Sequence, residues 1–168
     1  MRRHLSVLAG SATLCVLAGC GPEAASGRPC TAIGSLVGVS LRIEPPLAAR
    51  TAHAVMTVCD QGDCHASSVR LGAATTTRPQ ACSGGDSSGV CAGSAVPTGG
   101  QYGFDTVPGL SKRPVRVTVV LSDAAGHRIL DQGLTATPKG LFPNGPHCGE
   151  GGPQAGVVAQ NGRLREFS

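Results

Sequence analysis

Val115-Arg116-Val117-Thr118-Val119-Val120-Leu121-Ser122 is the stretch that decides the fold. Val115, Val117, Val119 and Leu121 alternate with Arg116, Thr118 and Val120, the period of two that turns one face of a strand to a core and the other to water. Ser122-Asp123-Ala124-Ala125-Gly126 supplies turn residues, and 127–134 reads as the returning strand. Working outward, Val37, Val39, Leu41 and Ile43 alternate with Gly38, Ser40 and Arg42 until Pro45-Pro46 ends the run. Weaker strands are read over 51–59 with Ala54, Met56 and Val58 inward, over 64–71, and over 101–107 with Tyr102 and Phe104 inward. Near the C-terminus, 156–160 and 163–167 flank Asn161-Gly162, the strongest short hairpin signal. No 3.6-residue apolar period persists over three turns. Seven or eight short strands separated by turns predict an all-β protein, an antiparallel β-sandwich stapled by disulfides.

Composition agrees with this reading. Gly (25) and Pro (12) are abundant, Trp is absent, and the aromatics are only Tyr102, Phe104, Phe142 and Phe167. Such a core is poor in large side chains, and disulfides compensate. The formal net charge is +4, and loss of Arg2 and Arg3 with the leader described next leaves 12 basic against 10 acidic residues. A balance that weak, without a clustered basic face, implies no nucleic-acid partner.

Met1-Arg2-Arg3-His4 is followed by an apolar run over 5–18, broken only by Ser6, Gly10, Ser11 and Thr13, and the run closes on Leu17-Ala18-Gly19-Cys20. At 14 residues it is shorter than the roughly 20 needed to span a bilayer, and it fits the apolar region of an export signal. The segment resembles a bacterial lipoprotein signal peptide with its lipobox at 17–20. The resemblance implies cleavage before Cys20, lipidation of Cys20, and a membrane partner held through that lipid. Residues 1–19 are then the signal peptide, 20–29 a flexible tether containing Pro, Gly and Ser, and 30–168 a single β-sandwich domain. Lipoprotein anchors carry more than one acyl chain, so attachment to the outer face of the cell membrane is expected to be firm.

Of the eight cysteines, Cys15 leaves with the signal and Cys20 is taken by lipid, which leaves Cys30, Cys59, Cys64, Cys82, Cys91 and Cys148. An even set in an exported, oxidising setting reads as a disulfide framework, although six cysteines allow fifteen pairings. Spacing favours Cys59 with Cys64 across the first pair of a hairpin, and Cys82 with Cys91 around a second local loop. By elimination Cys30 would meet Cys148.

The strand and Asp-containing turn from Val117 to Gly126, with Cys148-Gly149-Glu150-Gly151-Gly152-Pro153, give the chain a layout that resembles immunoglobulin-like or transthyretin-like sandwiches of secreted bacterial proteins. It is similar to small β-sandwich lipoproteins of high-GC Gram-positive bacteria. It departs from antibody domains in lacking a tryptophan between sheet-bridging cysteines. Fold likeness of this kind assigns no activity.

Gly85-Asp86-Ser87-Ser88-Gly89 looks like the nucleophile loop of chymotrypsin-type proteases, and Thr51-Ala52-His53-Ala54 like the segment of their histidine. Only 33 residues lie between His53 and Ser87, and Ser88 stands where the family has glycine, so no catalytic residue is assigned. His65 beside Cys64, His147 beside Cys148, and Asp60 with Asp63 lack the paired spacing of a metal site, and thiols held in disulfides cannot ligate. No metal and no cofactor is expected. His53 and His127 read as solvent-facing strand positions. Two loops, 72–100 and 142–156, the latter with His147 and Glu150, are candidate interaction surfaces. The expectation is a monomeric, non-catalytic binding or interaction module for an envelope protein or ligand. The alternative is a small-ligand or metal-binding lipoprotein. A hydrolase comes last, because no nucleophile, base and orienting group can be assembled.

Overall fold

The computed structural model describes residues 30–80 and 92–167. Among them are ten strands: β1 (Gly38–Ile43), β2 (His53–Asp60), β3 (Asp63–Val69), β4 (Gly72–Pro79), β5 (Gly93–Thr106), β6 (Val115–Ser122), β7 (Arg128–Ala136), β8 (Lys139–Gly140), β9 (Pro153–Gln160) and β10 (Arg163–Phe167). One 3-10 turn, Ala48–Arg50, is the sole helical element among the described residues. The strands form two sheets packed as a sandwich, β10-β9-β1-β5-β4 with β8 paired to β9, and β3-β2-β6-β7.

Period-two alternation drives the packing. Val115, Val117, Val119 and Leu121 of β6, Ala54, Met56 and Val58 of β2, and Val39, Leu41 and Ile43 of β1 are all buried between the sheets. Val157 and Ala159 of β9 complete the larger sheet's inner face. All the strand pairs are antiparallel except β1 with β9, which is parallel from Gly38↔Gln154 to Ile43↔Ala159. Hydrophobic patterning cannot distinguish the two directions, because the same inward set is buried either way.

Both seams between the sheets are closed by side chains. On one side Gln132 of β7 donates from Nε2 to the Gly162 carbonyl and accepts at Oε1 from the Leu164 amide, so one amide side chain covers the β10 edge. On the other, Ser67 of β3 donates to Asp105 of β5 at 2.6 Å.

Three sequence readings are corrected. Tyr102 and Phe104 point outward, and the inward positions of that stretch are Gly103, Asp105 and Val107. A Cβ on Gly103 would stand 2.5 Å from Val69 Cγ1 and 2.9 Å from the Arg70 carbonyl, so the crossing of β3 to β4 occupies the space an inward aromatic would need. Second, 72–79 and 93–100 are not loop: β4 and the first half of β5 pair antiparallel there as a two-stranded arm. Third, Cys59 and Cys64 form the second pair of their hairpin, behind Asp60↔Asp63, because the turn is the two-residue Gln61-Gly62, both at positive φ. In the other expected loop, β9 begins at Pro153, so 142–152 is the irregular part. His127 precedes β7 and is exposed.

Every aromatic residue lies outside the interlayer core. Phe167 stands over Gly156, its cross-strand partner, with Arg42 Cζ 4.6 Å from its ring centre, and Phe104 covers Gly38. These rings fill the hollows that glycines leave on a sheet surface.

Cys30 is bonded to Cys148 and Cys59 to Cys64. Cys20, Cys82, Cys91 and Ser87 lie outside the described residues. On the chain-entropy account, a separation of 118 residues stabilises by about 5 kcal/mol and one of 5 residues by about 2 kcal/mol. The Cys30→Ser/Cys148→Ser variant should therefore lose at least twice the unfolding free energy of Cys59→Ser/Cys64→Ser in urea titrations.

The β6–β7 turn carries a pH dependence. The His127 amide donates to the Asp123 carboxylate, the His127 ring and the Ala125 amide add to it, and together they hold Asp123 below the usual carboxylate range. A depressed folded value contributes stability that is present above the ordinary aspartate value of about 3.9 and is lost as pH falls through the folded one. The stability difference between the native chain and Asp123→Asn should shrink across that acid window and stay constant above it.

Candidate functional site

Strand direction gives the sandwich two distinct ends. At one, the chain enters from Cys30, Val37 accepts from the Val107 amide, and the segments 107–114 and 137–152 gather. At the other lie the turns at Asp123–Gly126 and Asn161-Gly162, and the arm formed by β4 and β5. β1 pairs only with 101–106 of the 14-residue β5, so 93–100 continue past it paired with β4, with Gly99 and Gly100 at the base close to Pro45 and Ile43. β4 is exposed along nearly its whole length.

A cleft of about 450 Å³ opens at the base of this arm on the outer face of the larger sheet. Arg42 and Glu44 reach it from β1 and its end, Tyr102 and Thr98 from β5, and Thr75 and Thr76 from β4. Register places Tyr102 opposite both Arg42 and Gly72. The β4–β5 register shifts between Ala73 and Thr75, a bulge of the kind that re-aims side chains beside functional surfaces. Thr98 is held in place: its hydroxyl donates to the Ala74 carbonyl and accepts from the Gly100 amide. Tyr102 is 44% exposed, and neither its hydroxyl nor the Glu44 carboxylate has a hydrogen-bond partner among the described residues. An open aromatic face, threonine hydroxyls, one guanidinium and one carboxylate suit a polar ligand with an apolar face.

A second polar cluster sits at the opposite end. Ser67 Oγ donates to Asp105 Oδ1, and His65 Nε2 lies 3.6 Å from the same oxygen. Asp105 is buried, and its Oδ2 has no hydrogen-bond partner among the described residues. Serine and histidine thus converge on one carboxylate instead of forming the serine-to-histidine-to-aspartate chain that activates a nucleophile. A neighbouring cleft of about 390 Å³ is lined by Asp60, His65 and Arg113, with Arg113 Nη2 3.9 Å from Asp60 Oδ1.

His53 and His147 are exposed on different parts of the surface, and Glu150 pairs with Lys112 at 2.8 Å. Among the described residues no three His, Cys, Asp or Glu side chains are grouped as metal ligands. Tyr102 is the site residue that sequence reading placed on the wrong face, since aromatic alternation over 101–107 mimics an inward stripe. The chain matches no known family, no curated protein and no solved structure.

Phe167 and Tyr102 separate packing from availability. Phe167→Ala uncovers Gly156 and should cost more than about 1 kcal/mol, whereas Tyr102→Ala should stay within about 0.5 kcal/mol. Urea unfolding of the two variants checks the difference.

Proposed function

We propose that this chain is an extracytoplasmic lipoprotein whose sandwich is a non-catalytic binding module. In this reading residues 1–19 direct export, lipid on Cys20 holds the protein at the outer face of the cell membrane, and the monomeric domain recognises an envelope protein or ligand. The observation that carries the reading is polarity. The described chain enters the domain at one end, and the arm and Tyr102 cleft stand at the other, where an anchored module must offer its recognition surface.

Binding of a small ligand by the same cleft is the second reading, favoured by a volume of about 450 Å³ within the range of small-molecule sites. Metal delivery has less support, because among the described residues no three His, Cys, Asp or Glu side chains come together. Ser67, whose hydroxyl donates to Asp105, gives hydrolysis no support.

The test is the intact mass of the protein extracted from membranes, native and denatured. The expected species starts at a lipid-modified Cys20 and is lighter by the six hydrogens of three disulfides. A co-purifying small molecule lost on denaturation and absent from Tyr102→Ala would favour the second reading. An unlipidated chain with free thiols would contradict the proposal.

A further inference from the structure

We propose that the end of the sandwich next to Cys30 seats directly on the bilayer, inserting Ile33, Leu36, Leu141 and Phe142 into the headgroup region. The inference rests on the reading of Cys20 as the lipid anchor. Among the described residues six large apolar side chains are notably exposed, and these four, at 56%, 61%, 37% and 51%, lie on just two segments, 33–36 and 141–142.

The two segments are laced to each other. The Asn144 side chain accepts from the Ile33 amide and donates to the Ile33 carbonyl, Ser35 Oγ accepts from the Gly152 amide, and the Gly151 amide donates to the Leu141 carbonyl. The Cys30–Cys148 bond closes the same lace. The apolar side chains are therefore carried on a fixed collar, with little further ordering needed on contact. Soluble monomers seldom leave such a concentration of apolar surface in water without a use for it.

Chain length identifies the occupant. Ten peptide steps separate Cys20 from Cys30, a reach of at most about 35 Å when fully extended. Lipid on Cys20 would hold the collar within that distance of the bilayer, and a surface too weak to bind alone becomes effective when the second contact is intramolecular. The contact would be apolar. At this end Lys112 is paired with Glu150 and Arg113 lies beside Asp60, while Lys139, itself engaged, is matched in number by Asp63, so no excess of positive charge draws the collar to anionic lipid.

The chain has no tryptophan, so a single introduced one reports its own surroundings. Phe142→Trp in the lipidated full chain, reconstituted in phosphatidylethanolamine/phosphatidylglycerol vesicles, should show blue-shifted emission and about twofold quenching when brominated lipid replaces part of the bilayer. Tyr102→Trp, at the far end, should show neither. Raising the salt should leave the quenching unchanged, and adding Ile33→Asp and Leu36→Asp to Phe142→Trp should abolish it while the protein still floats with the vesicles. Equal emission and quenching at the two positions would overturn the seating proposal and leave the anchor reading intact. Failure to float would overturn the anchor reading. The seating, which depends on that anchor, would fall with it.

Discussion

β1 lies between β5 and β9 with Val39, Leu41 and Ile43 buried against the facing sheet, and the rest of the architecture follows from that burial. Those three side chains put β1 in the middle of the larger sheet, and its six residues set the limits of that sheet. Where β1 begins, the chain entering from Cys30 is pinned against 137–152. Where β1 ends, β5 continues without it and becomes half of a two-stranded arm. A two-stranded ribbon with water on both faces has little stability of its own, so the arm depends on the sheet from which it projects. The Tyr102 cleft lies at that transition.

The core that holds this arrangement is almost entirely aliphatic. Aromatics would ordinarily supply the largest buried area, and here they cover glycines on the outer face or stand in solvent. The closing devices are accordingly covalent and polar: the Cys30–Cys148 staple, the Ser67–Asp105 contact at one seam and the Gln132 bridge at the other. Each joins residues far apart in the chain, and the disulfide, which alone persists when the chain unfolds, adds the stabilisation that comes from constraining the unfolded state.

How legible this was in the sequence varied by element. The alternations in β1, β2 and β6 and the Asn161-Gly162 turn announced the sandwich, because each has one wet face and one dry one. The arm was missed for the complementary reason: with both faces in water, 72–79 and 93–100 need no apolar alternation, and their Thr, Gly and Ser residues read as loop. Parity failed over 101–107 because Asp105 is buried by a partner on another strand, Ser67, which no local pattern reports. The parallel β1–β9 pair and the two-residue β8 leave no periodic trace. The Cys59–Cys64 pair could be reached from spacing and Cys30–Cys148 by elimination, but in the candidate site the meeting of Tyr102 with Arg42 and the threonines required the register.

The proposed orientation is a sandwich standing on a lipid bilayer by its Cys30 end, arm outermost. Neutron reflectometry of the lipidated protein on a supported bilayer tests it, since it reads layer thickness and hydration along the membrane normal. The expected protein layer is in contact with the headgroups and about as tall as β5 is long, roughly 46 Å for 14 residues at strand rise. A hydrated gap beneath the protein, or a layer thin enough to show the sandwich lying on its side, would contradict it.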